Sequence, residues 1–320
     1  MKHLRFTNGD ELPILGLGTW KAKPGEAKKA VKMAVEMGYR HFDCAPIYGN
    51  EQEIGEALAA CLQSGKVKRE DLWISSKLWN DSHKKTEVIP ALNKTLENLQ
   101  LDYLDLFLIH WPVALKHGTK MPRGAQDFLA LEKVPLVETW RGMEETLSTR
   151  KAKHIGVSNF SEKKLSLLIP QCRKPPEVNQ VELHPFLQQN ALLKYCQSLN
   201  IQLVAYSPLG SKDRPQRLKS EDEPLLLENK TVRHLARKKG CTPAQILIAF
   251  GIARNTDVIP KATSEKHLKS NFEATQIHLD ESEMEQLRKQ ERAFRYVDGS
   301  MWENNGGPYT TSEIWDEPAP

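Results

Sequence analysis

The sequence predicts a (β/α)8 barrel, with an open doubly wound sheet as the alternative. Two observations predict it. Eight short and nearly continuous apolar runs recur along the 320 residues, as strands do when both faces are covered. Between them lie segments whose apolar residues follow the spacing of a helix packed on one face. No internal repeat and no shift in composition marks a boundary, so a single domain over 1–320 is expected, with 296–320 as its tail.

The elements follow in order. HLRFTNGDELPILGLG carries Asn8-Gly9-Asp10 between two short β-like runs and reads as a hairpin ahead of the main fold. The strand-like runs are 14–19, 41–45, 72–78, 104–111, 153–159, 178–184, 201–207 and 257–262. Ala27, Ala30, Val31, Ala34 and Val35 form one helical stripe, and Ile54, Leu58, Cys61 and Leu62 a second. Val88, Leu92, Leu96 and Leu99 form a third, and Leu136, Trp140, Met143 and Leu147 a fourth. Long connections at 112–134 and 208–228 leave the C-terminal ends of strands, where barrel sites are built.

Composition narrows the function. Basic residues number 45 and acidic residues 41, and the small excess is scattered, so neither nucleic acid nor a membrane surface is an expected partner. The five cysteines are far apart and lack metal-ligand spacing. With no apolar run after Met1, they suggest a cytoplasmic protein with free thiols. His41, His110, His154 and His184 stand singly, so no metal site is expected.

Polar residues stand at successive strand ends: Asp43, Lys77, His110, Ser158-Asn159, Gln180, Tyr206-Ser207 and Lys261, with Tyr48 just beyond the first. A barrel gathers them at one mouth. Each alone has a plain structural reading, and their joint placement favours chemistry. A phenol is a poor acid near neutral pH, and an adjacent ammonium lowers its pKa. Lys77 would do this for Tyr48, Asp43 would hold Lys77, and His110 would orient a carbonyl. A carbonyl reduced by hydride suits such a site. A Schiff-base aldolase using Lys77 is a competing reading, disfavoured because a lysine held charged by Asp43 is a poor nucleophile. A binding protein without turnover is another. Trp20, Trp79 and Trp111 sit just past strand ends, either packing under loops or walling a substrate pocket.

At these residues the sequence resembles the aldo-keto reductase family. The motifs are GYRHFDCAPIYGNE, LWISSKLW, LDLFLIHWP, HIGVSNF, NQVELHP, YSPLGS and IPKATS, in order and each at a strand end. The resemblance implies reduction of aldehydes, and of some ketones or open-chain aldoses, by NADPH. It implies a catalytic set of Asp43, Tyr48, Lys77 and His110, with Tyr48 as proton donor. It implies a nicotinamide carboxamide held by Ser158, Asn159 and Gln180, and a ring stacked on Tyr206. Ser207, Leu209, Ser211 and Asp213 would meet the pyrophosphate or fold over it. Lys261, Thr263, Ser264, His267 and Asn271 would meet the adenosine end. Trp20, Trp79 and Trp111, with Trp302 from the tail, would line the substrate pocket. The resemblance also implies a monomer, and it accounts for the missing dinucleotide fingerprint, whose nearest match, Gly16-Leu17-Gly18, lacks a third glycine. His267 stands where NADP-preferring members usually carry arginine, so NADPH is expected with less discrimination against NADH than is typical.

Overall fold

The computed structural model describes residues 2–219, 223–304 and 306–317; parts of the 208–228 connection and of the tail, 220–222, 305 and 318–320, lie outside the described residues. Strands β1 (His3–Arg5) and β2 (Glu11–Pro13) form the predicted antiparallel hairpin. Then come β3 (Leu17–Gly18), β4 (His41–Asp43), β5 (Trp73–Leu78) and β6 (Leu104–Ile109). A small hairpin of β7 (Ala114–Leu115) and β8 (Phe128–Leu129) interrupts the series. The series resumes with β9 (Ala152–Ser158), β10 (Val178–Glu182), β11 (Gln202–Tyr206) and β12 (Asp257–Val258).

Eight parallel strands run in the order β3, β4, β5, β6, β9, β10, β11, β12. Bridges from Leu15 to Val258 and from Gly18 to Lys261 close the ring, so the architecture is the predicted barrel. The first and last strands are shorter than the apolar runs suggested. Their seam consists of a few bonds, including Gly16 N to the Val258 carbonyl at 2.9 Å and Val258 N to the Ile14 carbonyl at 3.1 Å. Pro260 has no N–H to extend it. Gly18 is required here: a Cβ would lie 2.7 Å from the Ile259 carbonyl oxygen.

Alternation along each strand explains both core and site. Trp73, Leu106, Leu108, Val178 and Val204 point inward and pack with Leu4, Phe6, Leu12 and Ile14 of the hairpin, which plugs the N-terminal end. Phe107, Ile109, Ile155 and Val181 point outward and pack against the helices. Two residues on from Leu108, Val178 and Val204 the same face reaches His110, Gln180 and Tyr206, and four on from Trp73 it reaches Lys77. One periodicity therefore makes a dry floor and a polar mouth.

The four helical stripes fall on helices Glu26–Met37, Glu51–Gln63, Lys85–Leu99 and Leu136–Ser148. Gly55 lets the second approach the third, since a Cβ there would overlap the Asn98 carbonyl and the Leu99 backbone. Gly55→Ala is expected to lower unfolding free energy by about 1–3 kcal/mol, as overpacking does. Urea unfolding checks this; an unchanged midpoint would show that the two helices part without cost.

Candidate active site

The loop after β4 is shaped for one purpose. Pro46–Tyr48 makes a single tight helical turn, ended by Gly49 in the left-handed region at φ 71°. Asn50 then ties the loop to the first strand's end, donating to the Thr19 carbonyl at 2.9 Å. Tyr48 is thereby held over the ends of β4 and β5.

Lys77 is the centre of the constellation. Its side chain is 0% exposed, so it does not snorkel to solvent. Its Nζ lies 2.6 Å from Asp43 Oδ2, 3.0 Å from the Cys44 carbonyl and 3.3 Å from Tyr48 Oη. The other Asp43 oxygen accepts from Gln180 Nε2 at 2.8 Å. The buried ion pair is thus hydrogen-bonded on both sides, the condition under which such a pair is tolerated. His110 packs edge-on to Tyr48 with ring centroids 5.8 Å apart.

The electrostatics correct one expectation. The Tyr48 phenol is pushed well above the usual phenol range, by burial first and then by Asp43 and Cys44. Lys77 does not lower it on balance: burial and the Asp43 carboxylate, which engages the ammonium at 2.6 Å, act the other way. The Tyr48 phenol therefore keeps its proton near neutral pH. Burial, then Lys77, pushes His110 well below its ordinary 6.5, so its imidazole is neutral. We expect His110→Gln to reduce kcat/KM without changing the shape of the pH profile between about pH 5 and 8. Loss of a limb near 6.5 in that variant would show that His110 titrates after all.

Asp43, Tyr48 and His110 line a cleft of about 560 Å³ at the barrel mouth. Trp20, Trp79, Trp111 and Trp302 line one end, so the tryptophans form a wall there. Tyr206, Ser158, Asn159 and Gln180 line the middle. They brace one another: Tyr206 Oη donates to Asn159 Oδ1 at 2.8 Å, and Asn159 Nδ2 donates to the His110 carbonyl at 2.9 Å. Ser207, Leu209, Ser211, Asp213, Lys261 and His267 line the far end. Thr263 and Ser264 stand between Lys261 and His267 in sequence; Ser264 caps helix Glu265–Glu273, and Asn271 is buried within that helix.

The sequence reading missed Lys21. It follows Trp20 just past the first strand's end, so the strand-end rule applied there too would have found it. Its Nζ donates to Ser211 Oγ at 2.7 Å and meets Asp213 at 2.6 Å, and Lys261 meets the same carboxylate at 2.8 Å. Burial opposes ionisation of Asp213, yet the two lysines outweigh it and hold its carboxyl at about 2. This pair of bridges ties the 208–228 connection across the cleft. Met121, Val297 and Met301 add apolar surface near the tryptophans, and no sequence signal marked them.

This donor set fits a nicotinamide dinucleotide. Lys21, Lys212 and Lys261 bring ammonium groups to the cleft, suited to phosphates, and His267 lines it with them. Ser207, Gly210 and Ser211 take the left-handed region at φ of 48°, 85° and 48°, so the chain turns tightly here. The Tyr206 ring and the Ser158–Asn159–Gln180 amides offer a stacking face and carboxamide partners.

The comparisons agree with that geometry. The aldo/keto reductase family matches residues 14–292. The chain is 48% identical over 317 residues, 99% of this chain and 97% of the relative, to the aldo/keto reductase slr0942 of Synechocystis sp.. It is 43% identical over 291 residues, 90% of this chain and 89% of the relative, to the human aldo-keto reductase family 1 member A1. The solved structure of the aldose reductase from Schistosoma japonicum superposes with a TM-score of 0.86 at 39% identity, covering 94% of this chain and 96% of that one.

Proposed function

The chain belongs to the aldo/keto reductase family, an oxidoreductase family acting on carbonyls, and we propose that it is an NADPH-dependent aldehyde reductase with Tyr48 as proton donor. The observation that carries the reading is Lys77 Nζ bridging Asp43 at 2.6 Å and Tyr48 at 3.3 Å on the edge of the cleft. When bound, the reduced nicotinamide supplies hydride. His110, neutral, donates a hydrogen bond to the carbonyl oxygen and fixes its direction. Tyr48 Oη gives its proton to that oxygen as negative charge develops there. Lys77 meets the resulting phenolate charge, and Asp43 holds Lys77 in place. The tryptophan wall excludes water and takes up the apolar part of the substrate. Ser158, Asn159, Gln180 and Tyr206 hold the nicotinamide end, and Lys21, Ser211, Asp213, Lys261 and His267 the phosphate end.

The five cysteines are unpaired, in keeping with a reducing cytoplasm. No helix among the described residues is long and apolar enough to cross a membrane. We take the working unit to be a monomer, since every group in the proposed reaction comes from one chain.

The test is loss of the reduced-nicotinamide absorbance with a panel of aldehydes, ketones and open-chain aldoses, run with NADPH and NADH in parallel. Turnover of aldehydes with NADPH is expected. A folded sample that turns over none of them would overturn the reading. His267 gives a second expected outcome. An arginine offers a permanent forked phosphate ligand, so His267→Arg should raise the NADPH-over-NADH preference in kcat/KM by about tenfold. An unchanged ratio would remove His267 from the 2′-phosphate site.

A further inference from the structure

The family match ends at residue 292, yet Trp302 and the other cleft-lining residues of the tail lie beyond it. What holds that segment must come from its own contacts, and it is fastened at three places. At its start, the Glu182 carboxylate accepts from Tyr296 N at 2.6 Å and Val297 N at 2.8 Å. In its middle, Tyr309 Oη donates to the Leu129 carbonyl at 2.6 Å and accepts from Ala114 N at 2.9 Å, pinning the tail to the β7–β8 hairpin. At its end stands Asp316. It takes the left-handed conformation, φ 54°, that terminates helix Thr311–Trp315. Its carboxylate accepts from Lys164 Nζ at 2.7 Å and from Ser161 Oγ. Lys164 Nζ also donates to the Glu313 carbonyl at 2.5 Å.

The last fastening is not an ordinary surface ion pair. The Lys164 and Asp316 side chains are 9% and 14% exposed, so the geometry is fixed and weakly screened. Ser161 is also the N-cap of helix Glu162–Leu168, two residues beyond Asn159 at the end of β9. The tail is thus bolted to the element that carries the cleft's own polar residues.

The residue before Asp316 transmits this to the substrate wall. Trp315 donates Nε1–H to the Asp298 carbonyl at 2.6 Å, and the Arg295 guanidinium lies 3.8 Å over its ring. Its ring is 5.7 Å from Trp111, which is 5.7 Å from Trp302, which is 5.7 Å from Trp79. Trp79 in turn meets the His110 ring at 5.2 Å. One file of packed aromatic rings therefore runs from the Asp316 bolt to the proton-transfer site. Trp111, Trp302 and Trp79 are walls of the cleft, and Trp315 backs them from outside.

We propose that Asp316, Lys164 and Ser161 form a clasp that sets the width of the substrate end of the cleft, making Asp316 and Lys164 specificity-determining positioning residues. The proposal rests on the reading of the cleft as a carbonyl-reductase site. Packed rings transmit displacement because interiors are dense. Releasing Asp316 frees Trp315 from one side and lets Trp111 and Trp302 relax outward. A small aldehyde then loses orientation, and a bulky one gains room.

The experiment measures kcat/KM for naphthaldehyde and propanal in the wild type and Asp316→Ala, together with NADPH affinity and acrylamide quenching of tryptophan fluorescence. The bulky-to-small ratio should rise by about tenfold in the variant. NADPH affinity should hold and quenching should increase. An unchanged ratio in the folded variant, or equal loss on both aldehydes, would overturn the clasp. If Asp316→Ala does not fold, Ser161→Ala decides by the same ratio, moving it in the same direction by less. If the wild type reduces neither aldehyde, the reductase reading is what fails, and quenching alone then decides: unchanged quenching in the variant rejects the clasp.

Discussion

Replacing Tyr48 with phenylalanine is expected to lower kcat for aldehyde reduction by about 10² to 10⁴ and to leave NADPH affinity unchanged. The substitution removes one oxygen and keeps the ring that packs against Trp20 at 6.4 Å and His110 at 5.8 Å between centroids. The loss then reports the proton rather than the wall. Lys77 would lose its 3.3 Å contact with the phenol but keep Asp43 and the Cys44 carbonyl, so folding should be little affected. Cofactor affinity by fluorescence titration and kcat by absorbance separate the two effects. A near-normal kcat would assign the proton to another group.

Lys77→Met is expected to have the second large effect, on stability and rate together. Asp43 would remain as a buried carboxylate with its ammonium gone, and breaking a buried pair in this way costs about 3–5 kcal/mol. The rate falls because phenolate charge on Tyr48 would form with no cation beside it. The double variant Asp43→Asn, Lys77→Met should regain most of the stability, since no unpaired charge is left, and none of the rate. Urea unfolding with kcat on the same samples reads both. Recovery of rate along with stability would show that Lys77 serves the fold alone.

The two effects are separable because the residues lie where strand alternation put them, and this was legible in the sequence. Asp43, Lys77 and His110 each close a run of inward-facing residues, so reading strand ends placed them together without any coordinates. The hairpin was legible because Asn8-Gly9-Asp10 is strong turn chemistry, and the four stripes because helical spacing is regular. The seam between β3 and β12 was not. Its strands are cut short by Pro260 and by isolated bridges that no local pattern announces. The direction of the Tyr48 shift was also hidden, because desolvation is a property of the assembled site. Lys77 next to Tyr48 on paper suggests a lowered pKa, and burial together with the nearby Asp43 carboxylate reverses it.

The tail lay furthest from sequence reasoning. Its contacts join residues far apart in the chain, such as Ser161 with Asp316 and Ala114 with Tyr309, and its helix is a single short turn. Long-range pairs of this kind carry no periodic signal.

The central claim is that hydride goes to a substrate carbonyl carbon while Tyr48 supplies the proton to its oxygen. The most direct measurement is a reaction of an aldehyde with NADPH deuterated at the transferable position, with the alcohol product read by NMR. The account predicts deuterium on the carbinol carbon, and almost no labelled alcohol from the Tyr48→Phe variant at matched enzyme and time. Alcohol formed without that label, or formed as fast by the variant, would contradict it.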